Sequence, residues 1–369
     1  MERKRKSYAV VALLTVVALA GTWLWIDAAD RAAAERDDTR RAVVMGLKRT
    51  LDARPAGLPA ADGSLTQASA SGGLAELSKP PTPPAASDAV VYAVDDAARH
   101  YLVCTKLEDG SAYYATGQGT FAGPALSCAE TADPVAVGYV LDAQMTPAGA
   151  DRYLETRPAL VSKSFIQREC AAAVDEGQLQ GCYTGDHIYL IDLPQQAIRP
   201  EVSVTAAHEM LHAVWERLPG KEREAVTRLL ENAAGENGAL RERVGSYSDE
   251  TRINELHSIA GTEFPGLEAD LERHYDRFLR NRPVIVQRHL AYERILDGLK
   301  AEIDRLKAEL DRLGAQADTR LAAGDIAGYN GLVGPYNALV AEANEKVHRY
   351  NDLTAHTRPG DRQRTVEGR

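Results

Sequence analysis

Apolar residues run almost unbroken from Tyr8 to Ile26, a stretch long enough to cross a bilayer. Arg3-Lys4-Arg5-Lys6 precede it, and Trp23 and Trp25 stand at its far end, where indole rings favour the interface. The pattern predicts residues 1–26 as a cytoplasmic tip and a single-pass transmembrane anchor. The bulk of the chain then lies outside the cytoplasm, in the cell envelope. A cleaved signal peptide is the rival reading, but the run is longer than a typical signal-peptide core.

Polar helical spacing follows from Ala28 to about Leu51, with Ala42, Val43, Met45 and Leu47 available for packing. Pro55 to Ser87 is rich in Pro, Ala, Gly and Ser and reads as a linker. Alternation then takes over at Val90–Val94, Arg99–Leu107 and Ser111–Ala115, with turn residues at Asp95-Asp96 and Asp109-Gly110. This predicts a meander of antiparallel strands. The helix and meander together make a second unit over residues 27–132.

From residue 133 to about 285 the spacing returns to helices. Thr146-Pro147 is a helix start, with a capping hydroxyl followed by proline at the first helical position. Arg157-Pro158 breaks that helix, and a short one follows towards Cys170. Asp186–Asp192 reads as a strand with apolar, β-favouring residues. Val202–Leu218 carries Val204, Ala207, Leu211, Val214 and Leu218 on one helical face, stopped by Pro219-Gly220. Lys221–Leu240 is a further helix.

Residues 286–356 predict a coiled-coil hairpin. Leu296, Leu299, Ile303, Leu306, Leu310 and Leu313 step by three and four, the spacing of a coiled-coil seam. Gly314, Gly324 and Gly328 mark a turn region. A second arm repeats every seven through Tyr329, Tyr336 and Tyr350, and through Asn330, Asn337, Asn344 and Asn351. Docking of a protein partner, self-association and simple packing are all open to this arm. Residues 357–369 are charged, contain Pro and Gly, and read as a disordered tail.

The candidate chemistry lies at His208-Glu209-Met210-Leu211-His212. Residues four apart stack on one helical face, so the two imidazoles can grip one metal ion. Glu209 lies at the edge of that face, where its carboxylate can take a proton from a water activated there. This is the H-E-x-x-H arrangement of zinc peptidases. A catalytic zinc site takes three protein ligands and leaves a fourth position open. The extended pattern that places Gly and His after the motif is absent, because Trp215 and Leu218 occupy those positions. Glu255, Glu263 and His257 are the candidates for the third ligand.

Asn254, Glu255 and Ser258 match the N-E-x-x-S pattern of a second helix. Here the chain resembles the gluzincins, the thermolysin-like metallopeptidases. That resemblance implies an α+β, zincin-like, mostly helical metallopeptidase domain with a small sheet. It also implies a Zn2+ cofactor held by His208, His212 and Glu255, with Glu209 as general base, hydrolysing a protein or peptide substrate. The Asp that supports a histidine ligand in the pattern is replaced by Ile259. Gluzincins hold substrate along an edge strand before the first zinc helix, and Asp186–Asp192 occupies that place in the order. His274, Tyr275 and Tyr247 are candidates for stabilising the oxyanion.

The region from Tyr8 to Cys128 resembles a type IV pilin or pseudopilin in layout: a membrane helix continuing outward, a variable loop, then a small sheet. The prepilin processing signature is missing. A non-catalytic envelope scaffold or pilus-like assembly protein, with a structural or vestigial zinc site, is therefore the alternative to an endopeptidase.

Four cysteines agree with an oxidising compartment. Sequential pairing, Cys104 with Cys128 and Cys170 with Cys182, is the simplest of three connectivities. A net charge of −10 argues against a nucleic-acid partner.

Overall fold

The computed structural model describes residues 28–53, 63–64, 90–94, 100–128, 132–170, 180–191, 199–245, 247–249 and 251–353. The expected membrane anchor and the C-terminal tail lie outside the described residues, as does nearly all of the linker. Among the described residues, no helix is long and apolar enough to cross a membrane. The chain is mixed α+β and mostly helical. It divides into two compact units, residues 1–138 and 139–369.

In the first unit, residues 28–52 form helix α1. Strands β1 (Gly63–Ser64), β2 (Val90–Val94), β3 (Tyr101–Lys106), β4 (Ser111–Thr116) and β5 (Gly119–Pro124) make one antiparallel sheet in sequence order. The amphipathic spacing of α1 turns Val43, Val44, Leu47 and Leu51 onto Val90, Tyr92, Tyr101 and Val103. That burial is the main source of the unit's cohesion. Tyr101 donates to Asp52 at 2.5 Å, which ties the end of the helix to the sheet. Cys104 is bonded to Cys128, as sequential pairing predicts. Strand β5 was not anticipated. Its Gly119-Thr-Phe-Ala-Gly-Pro124 sequence lacks a β-branched run and is held by pairing with β4.

Helix α2 (Pro134–Asp142) spans the division between the units. In the second unit, α3 (Pro147–Glu155) is capped by Thr146, whose hydroxyl accepts from the Gly149 amide at 3.2 Å. Next come β6 (Ala159–Val161), α4 (Lys163–Glu169), β7 (Gly181–Tyr183) and β8 (Ile188–Ile191). The three strands form a sheet in the order β6-β8-β7. Asp186–Asp192 is therefore not an edge: its strand β8 is central, parallel to β6 and antiparallel to β7. Ile188, Leu190 and Ile191 are buried there, so the strand is used for packing on both sides. Cys182 of β7 is bonded to Cys170 at the end of α4.

The remaining helices are α5 (Arg199–Arg217), α6 (Gly220–Glu236), α7 (Gly238–Arg243), α8 (Arg252–Thr262), α9 (Ala269–Tyr275), α10 (Arg282–Ala322) and α11 (Ile326–Leu353). The expected helix Lys221–Leu240 is divided in two at Asn237, whose side chain caps α7 by accepting from the Leu240 amide at 3.1 Å. The hairpin seam is present. Leu296 and Leu299 pack with Leu353, and Leu306 and Leu310 pack with Val340 and Ala343, so the arms are antiparallel. The turn is at Gly324 alone. Gly314 and Gly328 lie inside helices. The hairpin also does not start afresh at residue 286, because α10 begins at Arg282 with proline in its first turn.

Candidate metal centre

Helices α5 and α8 lie against each other, and Gly261 is the reason they can approach so closely. A Cβ at Gly261 would collide with Leu211 of α5 and Tyr275 of α9. Leu256, Ile259 and Ala260 of α8 are fully buried beside Met210, Leu211 and Ala213 of α5. Close packing leaves the polar faces of both helices facing a common space.

His208 and His212 come from one face of α5, and Glu255 comes from the first turn of α8. His208 Nε2 is 3.6 Å from Glu255 Oε2, and His212 Nε2 is 3.5 Å from Glu255 Oε1. One ligand atom from each of the three residues falls within 4.8 Å of the others. Tetrahedral zinc with bonds near 2.1 Å sets its ligand atoms about 3.4 Å apart. The two histidine–glutamate spacings are close to that figure, and two imidazole nitrogens with one carboxylate form a donor set that zinc accepts. The three residues could therefore hold a metal ion.

Each imidazole is oriented from behind. His212 Nδ1 lies 2.9 Å from Asn254 Oδ1. An amide oxygen only accepts, so Nδ1 carries the proton and Nε2 presents its lone pair forward. His208 Nδ1 lies 3.5 Å from Thr262 Oγ1, at the far end of α8. The supporting position occupied by Ile259 is buried in the core. The work falls instead to Asn254 and Thr262. Asn254 was legible only as a letter of the pattern, and Thr262 carried no signal, since its role depends on how α8 crosses α5.

The rival ligands are engaged elsewhere. Glu263 accepts two bonds from Arg243, at 2.9 and 3.1 Å. His257 is fully buried against Trp215 and Tyr275, with Nε2 2.9 Å from His274 Nε2. Burial holds His257 well below the usual histidine range, and the neighbouring His274 acts in the same direction.

Charge at the centre follows from its burial. Burial alone would raise Glu255, but His212 and His208 outweigh it and hold the carboxyl down to about 2. His208 is disfavoured as a cation by burial, yet the adjacent Glu255 carboxylate and the charge of Glu209 raise it. Glu209 is 6% exposed. Burial raises its carboxyl, opposed by His212, His208 and, to a smaller extent, the Tyr183 backbone.

Strand β7 packs on α5, the helix that carries Glu209. Ile191 N bonds Gln180 O at 2.9 Å, and Thr184 N bonds His187 O at 2.9 Å. Antiparallel strands alternate bonded and non-bonded pairs. The backbone groups of Gly181 and Tyr183 therefore point away from β8, along the outer edge. A Cβ at Gly181 would lie 2.7 Å from the Thr205 methyl, so glycine lets this edge press onto α5. The Tyr183 hydroxyl is anchored near Glu216 Oε2, at 2.8 Å, and Arg217 Nη1, at 3.0 Å.

Of the oxyanion candidates, His274 and Tyr275 are engaged with His257. His274 pairs with His257, and the Tyr275 hydroxyl donates to His257 O at 2.7 Å. Tyr247 is placed differently, beside Arg243 and within the field of Glu255.

No family model, curated protein or solved structure matches the chain.

Proposed function

We propose that this chain is a zinc-dependent endopeptidase that hydrolyses peptide bonds in an extracytoplasmic protein or peptide substrate. The observation that carries the reading is the convergence of His208, His212 and Glu255 from two separate helices, with an additional buried carboxylate, Glu209, beside them. A structural zinc site closes its coordination with protein ligands, whereas a three-ligand set leaves room for substrate.

Zinc held by His208 Nε2, His212 Nε2 and a Glu255 oxygen would act as a Lewis acid towards water and the scissile carbonyl. Glu209 accepts the proton of the attacking water at its carboxylate and passes it to the leaving amine. The raised carboxyl of Glu209 suits both halves of that transfer. Asn254 and Thr262 hold the two imidazoles in register. Tyr247 is the hydroxyl best placed to meet developing negative charge. The outward backbone groups of Gly181 and Tyr183 offer a substrate a strand to pair with, and pairing through backbone leaves side-chain choice to pockets.

The test is Glu209→Gln in the purified chain, assayed for metal content and for cleavage of a denatured protein. Metal is retained and turnover falls about 10²- to 10⁴-fold. Turnover at the wild-type rate would remove Glu209 from its role. Metal bound by the wild-type chain with no cleavage would turn the reading to the envelope scaffold.

A further inference from the structure

His289 sets both ring nitrogens against carboxylates. Nδ1 lies 3.3 Å from Glu201 Oε1, and Nε2 lies 3.7 Å from Glu263 Oε2. The three side chains are 14%, 6% and 10% exposed. They come from three elements. His289 is in the second turn of α10. Glu201 is in the first turn of α5, about two turns before His208. Glu263 caps the end of α8, about two turns after Glu255.

A neutral imidazole has one N–H and one lone pair. With carboxylates on both sides, a neutral ring would turn its lone pair towards a buried anion. The imidazolium donates to Glu201 and sets its positive charge against Glu263. The other charged neighbours favour the same state. Glu293 faces His289 from the next turn of α10. Arg243 of α7 bonds Glu263. Arg288 is directed to the Asp142 carbonyl and the Ser203 hydroxyl. Three carboxylates thus surround the ring against one paired arginine. Burial disfavours the charged ring, but the bond to Glu201 and the charges of Glu263, Glu201 and Glu293 raise His289 above the usual histidine range.

We propose that His289 is a proton-operated clamp on the metal centre. As imidazolium it ties the start of α5 and the end of α8 to α10. When it loses its proton, both ligand-bearing helices are released at that end and metal capture weakens. This rests on the reading of His208, His212 and Glu255 as a metal centre. The sign follows from a raised histidine: its stabilisation is present below about pH 6.5, the ordinary histidine value, and is lost as pH rises through the folded-state value.

The test uses the full-length chain, wild type and His289→Gln, from about pH 6.5 to about pH 9.5. Two quantities are read: the unfolding midpoint of the metal-free protein, and Co2+ affinity from visible absorption. In the wild type, stability falls through this range, and Co2+ affinity falls roughly five- to tenfold more than in His289→Gln. The variant has no such transition in unfolding. Glu201→Gln, a gentler change, moves the wild-type transition to lower pH. Parallel unfolding profiles in wild type and both variants would overturn the clamp. A difference in unfolding without a difference in Co2+ affinity would overturn its control of the metal centre. Absence of Co2+ binding at every pH would remove the metal-centre reading and the control with it, and the unfolding profile separates that result from failure of the clamp.

Discussion

The Asn254 side-chain oxygen accepts the Nδ1 proton of His212 at 2.9 Å, one residue before Glu255, whose carboxylate meets the other nitrogen of the same ring at 3.5 Å. Two consecutive residues of α8 therefore hold one imidazole from both sides. Asn254→Ala leaves the ring free to rotate and to change tautomer. Metal affinity falls about 10- to 100-fold, measured by competition with a chelator. Asn254→Asp, which keeps an acceptor in place, retains most of it. Equal affinities for wild type and Asn254→Ala would show that the contact does not orient the ligand.

Glu255 and Glu263 are separated by two turns of chain and by function. Glu255→Ala abolishes tight metal binding. Glu263→Ala instead breaks a two-bond pair with Arg243 and destabilises the fold by on the order of 2–3 kcal/mol, with metal still bound near neutrality. Metal titration and denaturant unfolding on both variants distinguish the two. Metal loss confined to Glu263→Ala would reassign the third ligand.

His274 gives the fold an acid limit. Burial, with Arg277 nearby, lowers it to about 4, while its unfolded value is near 6.5. A histidine kept neutral in the fold contributes fully above about pH 6.5, and its contribution is lost as pH falls towards about 4. The loss reaches about 3 kcal/mol at most. Unfolding midpoints measured down this range decline in the wild type, and the decline is shallower in His274→Gln. Equal slopes would mean that His274 titrates normally.

The Cys170–Cys182 bond closes a short loop, with a sequence separation of 12, and Cys182 sits between the two outward-facing residues of β7. Paired Cys170→Ser and Cys182→Ser substitution costs about 2–4 kcal/mol of stability. Turnover drops more than metal affinity does, because the proposed substrate strand is β7, whereas the three ligands come from α5 and α8. Peptidase assays beside metal titrations on the double variant, well below its unfolding temperature, test this. Parallel losses in the two assays would contradict the placement of β7.

What could be read in advance follows the range of the interactions involved. His208, Glu209 and His212 belong to one helical turn, so their geometry is local and their spacing alone announces them. Glu255 lies on a second helix and was reached through the likeness of its neighbours to a family pattern. Thr262 and the Tyr183 amide arrive by tertiary packing, which leaves no periodic trace. The edge strand was misplaced for a related reason: β7 has three residues, too few for alternation to register, while its partner β8 has the stronger apolar run. Gly314 read as a turn because glycine costs a helix about 1 kcal/mol. Burial of Leu310, Leu313 and Ala317 around it outweighs that cost, and the helix continues.

Helix α10 is one piece from Arg282 to Ala322, about 60 Å of rod at 1.5 Å per residue. At its root Arg282 reaches the carbonyls of Ala260 and Phe264, at 3.1 and 2.8 Å, and Tyr292 reaches Leu353 O at 2.8 Å. No joint separates the projecting arm from the wall behind α8. A load applied at the distant Gly324 bend would travel the length of a stiff strut before reaching anything that could yield, and what it would reach is the carbonyl end of the helix that carries Glu255.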